Sequence, residues 1–124
     1  MSTPAETFER YAACITAGDV DGIVSLYAPT ATSTAQIPVG GPVHTGIDAI
    51  RAFYTGNELA ESIAITGAVC AAGSEAAVPM CAKVRQSGQL LEVDVIDVAT
   101  FDEAGRFTSL RAFFDLEGAR PIPG

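Results

Sequence analysis

The sequence predicts an α+β domain in which three N-terminal helices pack into the concave face of a strongly bent, mostly antiparallel sheet. Three observations predict it. Apolar residues recur at helical spacing through the first half, they alternate with period two through the second, and short turn sequences divide the second half into four consecutive strands. Helices followed by a meander segregate into layers. A bent sheet wrapped over three helices leaves a cone-shaped cavity between the layers. The chain of 124 residues has the size of a single domain, 1–124, with no internal repeat and no linker.

The elements follow in order. Thr3-Pro4-Ala5-Glu6 is a capping box with proline at the first helical position. Phe8, Tyr11, Ala12 and Ile15 then form one apolar face. Gly18 stops this helix and Asp19 caps the next. Val20, Ile23, Val24 and Tyr27 are its buried stripe, and Pro29 follows its end. Residues 30–44 are rich in Thr, Ala, Gly and Pro and hold a short strand near 32–37. Thr45-Gly46-Ile47-Asp48 starts a third helix carrying Ile47, Ile50, Phe53 and Tyr54, which Gly56-Asn57 ends. Residues 61–72 are the first strand of the meander, weakened by Gly67. Gly73-Ser74 turns into residues 75–86, where Val78, Met80, Ala82 and Val84 share a face and Pro79 marks an edge or a bulge. Ser87-Gly88 leads into residues 90–101, and residues 102–105 turn into a last strand, 106–116. The tail, 117–124, is polar and Pro-rich.

Composition excludes several classes of function. The net charge is −8 and the pI about 4.3. Seven Lys and Arg residues, unclustered, cannot track a phosphate backbone, so no nucleic acid is expected. An anionic membrane would repel the chain, and no apolar run is long enough to span one. The acidic N-terminus lacks a targeting run. Cys14, Cys70 and Cys81 sit among small apolar neighbours and read as reduced, buried thiols, so a cytoplasmic location is expected. One His and scattered carboxylates give no metal-ligand spacing. Neither a metal nor another cofactor is implied.

Asp97 is the most informative residue. On a strand at 90–101 its face is otherwise apolar: Leu91, Val93, Val95, Ala99 and Phe101. A carboxyl there must be paired, hydrogen-bonded or protonated. Tyr11, Tyr27 and Tyr54, the only three tyrosines, lie on the apolar faces of the helices. The economical arrangement gathers all four groups in one pocket, where phenols and carboxyl satisfy one another as a network.

With those residues in view, the chain resembles the bacterial Δ5-3-ketosteroid isomerases, of the cone-shaped fold shared with nuclear transport factor 2 (NTF2-like) and the polyketide cyclases. The resemblance rests on Glu9-Arg10-Tyr11, on Ala17-Gly18-Asp19-Val20-Asp21-Gly22-Ile23-Val24-Ser25-Leu26-Tyr27, on Ala31-Thr32, and on Pro38-Val39-Gly40. It continues through Ala49-Ile50-Arg51-Ala52-Phe53-Tyr54, Ala104-Gly105-Arg106 and Ser109-Leu110-Arg111-Ala112-Phe113, and covers nearly the whole chain. It implies that Tyr11 and a protonated Asp97 donate to a dienolate oxygen, with Tyr54 and Tyr27 supporting Tyr11. In that family a carboxylic acid is held neutral in an apolar site. It also implies a homodimer, for which Phe107 and Phe113 on the back of the sheet are a candidate surface.

One departure stands out. The family carries its general base in an Asp-Pro-Val-Gly segment, and here Ile37 occupies that position. Residues 30–45 contain no Asp or Glu in any register. The expected activity is therefore a double-bond shift in a 3-ketosteroid with the usual base absent. A relocated base would be His44, Glu58, Asp115 or a bound water. The alternatives are a steroid or polycycle binder without turnover, and a cyclase or epoxide-opening relative, for which Asp97 and Arg51 do not assemble an Asp-Arg-Asp set by spacing. The expected ligand is small and apolar, a steroid, held by Val78, Met80, Val95, Leu110, Ala112 and Phe114.

Overall fold

The structure, a computed structural model, describes residues 2–56 and 60–122. Asn57, expected at the end of the third helix, and Glu58, a candidate base, lie outside the described residues. Helix α1 (Pro4–Ala17) begins with the full capping box: the Glu6 amide donates to Thr3 Oγ1 at 3.2 Å and the Thr3 amide to Glu6 Oε1 at 3.0 Å. It ends at Gly18 with φ +68°, a left-handed cap that glycine adopts without strain. Asp19 Oδ1 accepts from the Gly22 amide at 2.9 Å and starts α2 (Val20–Ser25). Helix α3 is Ile47–Gly56.

Among the described residues eight strands form one sheet: β1 (Thr34–Gln36), β2 (His44–Thr45), β3 (Ser62–Ile65), β4 (Cys70–Ala72), β5 (Glu75–Gln86), β6 (Gln89–Phe101), β7 (Phe107–Phe113) and β8 (Arg120–Pro121). The order is β2-β1-β7-β6-β5-β3, with β4 also on β5 and β8 also on β6. The meander is antiparallel throughout, but β1 joins β7 in parallel, Ala35 opposite Leu110. The sheet is therefore mixed, and larger than the four-strand meander alone.

Several sequence expectations are corrected. Residues 61–72 are not one strand: β3 and β4 pair with successive parts of β5, and the ladder breaks at residues 66–69. Pro79 explains the break. Its carbonyl accepts from the Thr66 amide at 3.0 Å. In an antiparallel ladder a residue's N–H and C=O face the same neighbour, so the donor that Pro79 lacks would have pointed at this gap. Pro79 thus sits in an interior strand rather than at an edge. Gly67 fits the same gap, since a Cβ there would lie 2.8 Å from Pro79 Cγ.

The last strand stops at Phe113 rather than at residue 116. Asp115 accepts from the Glu117 amide at 2.9 Å and caps a short 3-10 turn, Leu116–Gly118. Within β7 the register against β6 shifts, Thr100 facing Ser109 but Phe101 facing Phe107. This bulge puts Phe107 on the same face as Leu110 and Ala112, three and five residues on. Phe107 is therefore fully buried and not part of a back-face surface. It meets Phe8, Phe101, Tyr11 and Tyr27 at ring-centroid distances of 5.3 to 5.7 Å. The exposed apolar pair on the back face is Ile96 and Phe113, directly opposite each other.

The thiols also differ from expectation. All three are free, but Cys70 is exposed and Cys14 and Cys81 are only partly buried. Cys70 lies on short β4, whose three residues are all exposed, so the strand buries nothing on either face. Among the described residues no helix is long and apolar enough to cross a membrane.

The Gly67–Pro79 contact is testable by a double-mutant cycle. Gly67→Ala should destabilise the fold by about 1–3 kcal/mol, the cost of a forced fit. Pro79→Ala should relieve most of that loss, as followed by denaturant unfolding.

Candidate active site

Helices α1 and α3 and the segment after α2 each deliver one tyrosine to the same point. Tyr11 lies on the buried face of α1, Tyr54 on that of α3, and Tyr27 forms a parallel bridge with Phe107 just beyond α2. Their hydroxyls form a chain: Tyr11 Oη to Tyr54 Oη at 3.0 Å, and Tyr54 Oη to Tyr27 Oη at 2.8 Å. Burial, first of all, lifts each phenol well above its ordinary range; nearby phenols and Asp97 add to it. All three are thus neutral hydrogen-bonding groups at neutral pH.

Asp97 reaches the same chamber from the inner face of β6, between Val78 of β5 and Ala112 of β7. It is 2% exposed, and its Oδ2 is buried without a hydrogen-bond partner among the described residues. The expected network is therefore corrected: the phenols satisfy one another, and no hydrogen bond joins the carboxyl to them. Burial alone raises the Asp97 pKa from 3.8 to about 7. Each tenfold change in proton affinity is about 1.4 kcal/mol, so keeping this carboxyl ionised costs the fold on the order of 4 kcal/mol.

Tyr11, Tyr54 and Asp97 line one cavity of about 160 Å³. Its walls are otherwise apolar: Ile15, Phe53, Ile37, Ala60 and Ile63, Ala82 and Val84 of β5, Val93 and Val95 of β6, Ala112 of β7, and Phe114. Tyr27 stands behind Tyr54 and does not line it. Of the expected ligand contacts, Val95, Ala112 and Phe114 are in the wall. Val78, Met80 and Leu110 are not: they share the inner face but are 0–1% exposed in the core beneath the helices. Ala82, Val84 and Val93 replace them, on the same strand faces but nearer the turn at residues 87–88. Alternation identifies the face and cannot say how far along it the helices reach, which is why these wall residues escaped sequence reasoning.

Ile37, which the sequence resemblance sets at the position of a general base, lines this cavity. A vestibule of about 530 Å³ shares Ile37, Phe53, Val84 and Phe114 with it and adds Pro38, Arg85, Gln86, Asp115 and Leu116. Asp115 is thus at the outer opening, exposed and engaged in its cap. His44 stacks on Phe53 at 4.6 Å and is not in the cavity wall. Arg51 pairs with Asp21 on the helix surface and Arg85 with Glu61, so neither is set against Asp97.

Comparison with known proteins agrees with this fold. The SnoaL-like domain family matches residues 8–110. A protein of Nocardioides simplex named steroid Delta-isomerase is 36% identical over 105 residues, covering 85% of this chain and 84% of that protein. Among solved structures, the epoxide hydrolase/cyclase-like enzyme SalBIII, described as acting in pyran ring formation in the polyether salinomycin, superposes with a TM-score of 0.83. It is 27% identical, with 96% of this chain and 95% of that chain covered.

Two stability measurements check the electrostatics and the phenol chain. The Asp97 carboxyl binds its proton more tightly folded than unfolded, so stability should fall as pH rises from about 4 through about 7 and then level off. Asp97→Asn should remove this dependence: near-neutral in effect below pH 4, stabilising at pH 8. Tyr54→Phe strands the hydroxyls of both Tyr11 and Tyr27 and should cost about 1–3 kcal/mol, more than Tyr27→Phe, which strands one.

Proposed function

The chain belongs to the SnoaL-like domain family, and from that premise we propose that it is a steroid delta-isomerase-type enzyme of this isomerase and cyclase fold. Its substrate is a flat, apolar ketone, a 3-ketosteroid, in which a proton moves beside the carbonyl and a carbon–carbon double bond shifts. One observation carries the reading: Tyr11 and Asp97 approach a single apolar chamber from opposite layers as hydrogen-bonding groups that are uncharged in their stable form. Donors aimed at an oxygen that gains negative charge only during reaction favour the transition state over the bound ketone. The apolar wall strengthens them by excluding water.

The dimensions support an elongated ligand. Pockets for drug-sized ligands occupy about 300–1,000 Å³, and the inner cavity is smaller than that. The carbonyl end would seat against Tyr11 and Asp97, and the remaining rings would extend past Ile37, Phe53, Val84 and Phe114 into the vestibule.

A second reading is a polycycle-binding protein without turnover, favoured by Ile37 standing where the family has its base. An epoxide-opening activity through an Asp-Arg-Asp set is disfavoured, because Arg51 is held at the surface by Asp21.

The assay offers a 5-ene-3-ketosteroid and follows conjugated-enone absorbance. Turnover that drops at least a hundredfold in Tyr11→Phe and Asp97→Ala supports the isomerase. Tight binding of a phenolic steroid without turnover supports the binder, and failure to bind any steroid sinks both. Ile37→Asp tests whether a base is missing: a gain of about 10²–10⁴-fold would mean that none is positioned in the parent. No gain would mean that a proton carrier already serves.

A further inference from the structure

The isomerase reading leaves one step without a residue: removal of the proton. The described residues narrow the choice. Residues 30–45 hold no carboxylate. His44 is turned onto Phe53 and Asp115 is tied into its cap at the vestibule opening. The phenols hold their protons too firmly to serve as bases at neutral pH. The groups facing Asp97 from the helices are Tyr11, Tyr54 and, behind them, Tyr27; across the sheet they are Val78 and Ala112. No Lys, Arg or His lines the chamber, and Asp97 is its one carboxyl among the described residues. Its Oδ2 is buried, turned from solvent, and has no hydrogen-bond partner among the described residues.

We propose that Asp97 is itself the proton carrier, so that one carboxyl performs in sequence the work the related enzymes divide between two. The inference rests on the isomerase reading. The ionised carboxylate takes a proton from the carbon beside the carbonyl. The C–H bond breaks, an O–H bond forms on Asp97, and the electron pair passes to the carbonyl oxygen, which accepts from Tyr11. Asp97, now neutral, is the second donor beside Tyr11. It then returns the proton to the far carbon of the dienolate, a C–H bond forms, the carbonyl is restored, and Asp97 is again ionised. Nothing is gained or lost over the cycle. The unpartnered oxygen is what this role requires, because a carboxylate already accepting hydrogen bonds is a weaker base. Burial supports the role too, since a carboxyl that titrates near 7 is both ionised often enough to start and basic enough to react.

The test compares Asp97→Asn with the parent. Asparagine keeps the shape and can still donate a hydrogen bond, but cannot carry a proton. If Asp97 is the carrier, Asp97→Asn should lower kcat by about 10²–10⁴-fold while still binding a phenolic steroid. The parent's kcat/KM should then rise with pH through about 7, the carboxylate being the active form. A pure donor would give the opposite sign, activity falling as Asp97 ionises. Retention of activity within tenfold in Asp97→Asn, a falling pH profile, or a loss found in Glu58→Gln instead would each overturn the proposal and leave the isomerase reading intact. Parent protein that binds without turnover overturns it as well. Absence of both binding and turnover removes the isomerase reading itself. Thermal unfolding of Asp97→Asn shows whether a lost rate reflects a lost fold.

Discussion

A carboxyl group stands inside this protein with one oxygen unpartnered among the described residues, and the rest of the structure is arranged so that it can. The cost of keeping Asp97 ionised, on the order of 4 kcal/mol, is a large part of the 5–15 kcal/mol by which domains are stable at all. A core carries such a cost only if the remainder is well packed. The long β5–β6 ladder, in register from Glu75–Thr100 to Gln86–Gln89, fixes the carboxyl from one side. The aromatic cluster of Phe8, Phe101 and Phe107 packs against Tyr11 and Tyr27. The three phenols hydrogen-bond to one another rather than to the carboxyl.

The bulge in β7 links this packing to the chemistry. Without the extra residue, Phe107 and Leu110 could not share a face, and the ring beneath Tyr11 and Tyr27 would point into solvent. The break between β3 and β4 works at the opposite edge, where Pro79 and Gly67 interrupt the ladder beside β5. Ile63 of β3 is in the cavity wall, so the same edge that is interrupted also supplies part of the chamber.

Much of this was legible in the sequence because the signals were local and repeated. The capping box at Thr3, the left-handed Gly18 and the Asp19 cap each depend on residues within a few positions. Asp97 was assigned its face by a strand of a dozen residues, long enough for the period to be unambiguous. What escaped depended on other kinds of information. The parallel pairing of β1 with β7 is a three-residue contact between segments some 75 positions apart, and nothing in Thr34-Ala35-Gln36 announces it. The bulge is a one-residue slip, which reverses every assignment beyond it; strict alternation therefore puts Phe107 on the wrong side. Whether Asp97 bonds to a phenol or only shares a chamber with one is a matter of an ångström or two, below what alternation resolves.

The phenol chain has one further consequence. A hydroxyl that accepts from one neighbour donates to the next, so three in a row share a single direction. When Tyr11 donates to a ligand oxygen, Tyr54 must donate to Tyr11, and Tyr27 to Tyr54. Tyr27 touches no ligand and does not line the cavity, yet its O–H bond must point along the row that the ligand dictates. The row therefore behaves as a polarised wire, and its far terminus carries a record of whether the near one is occupied.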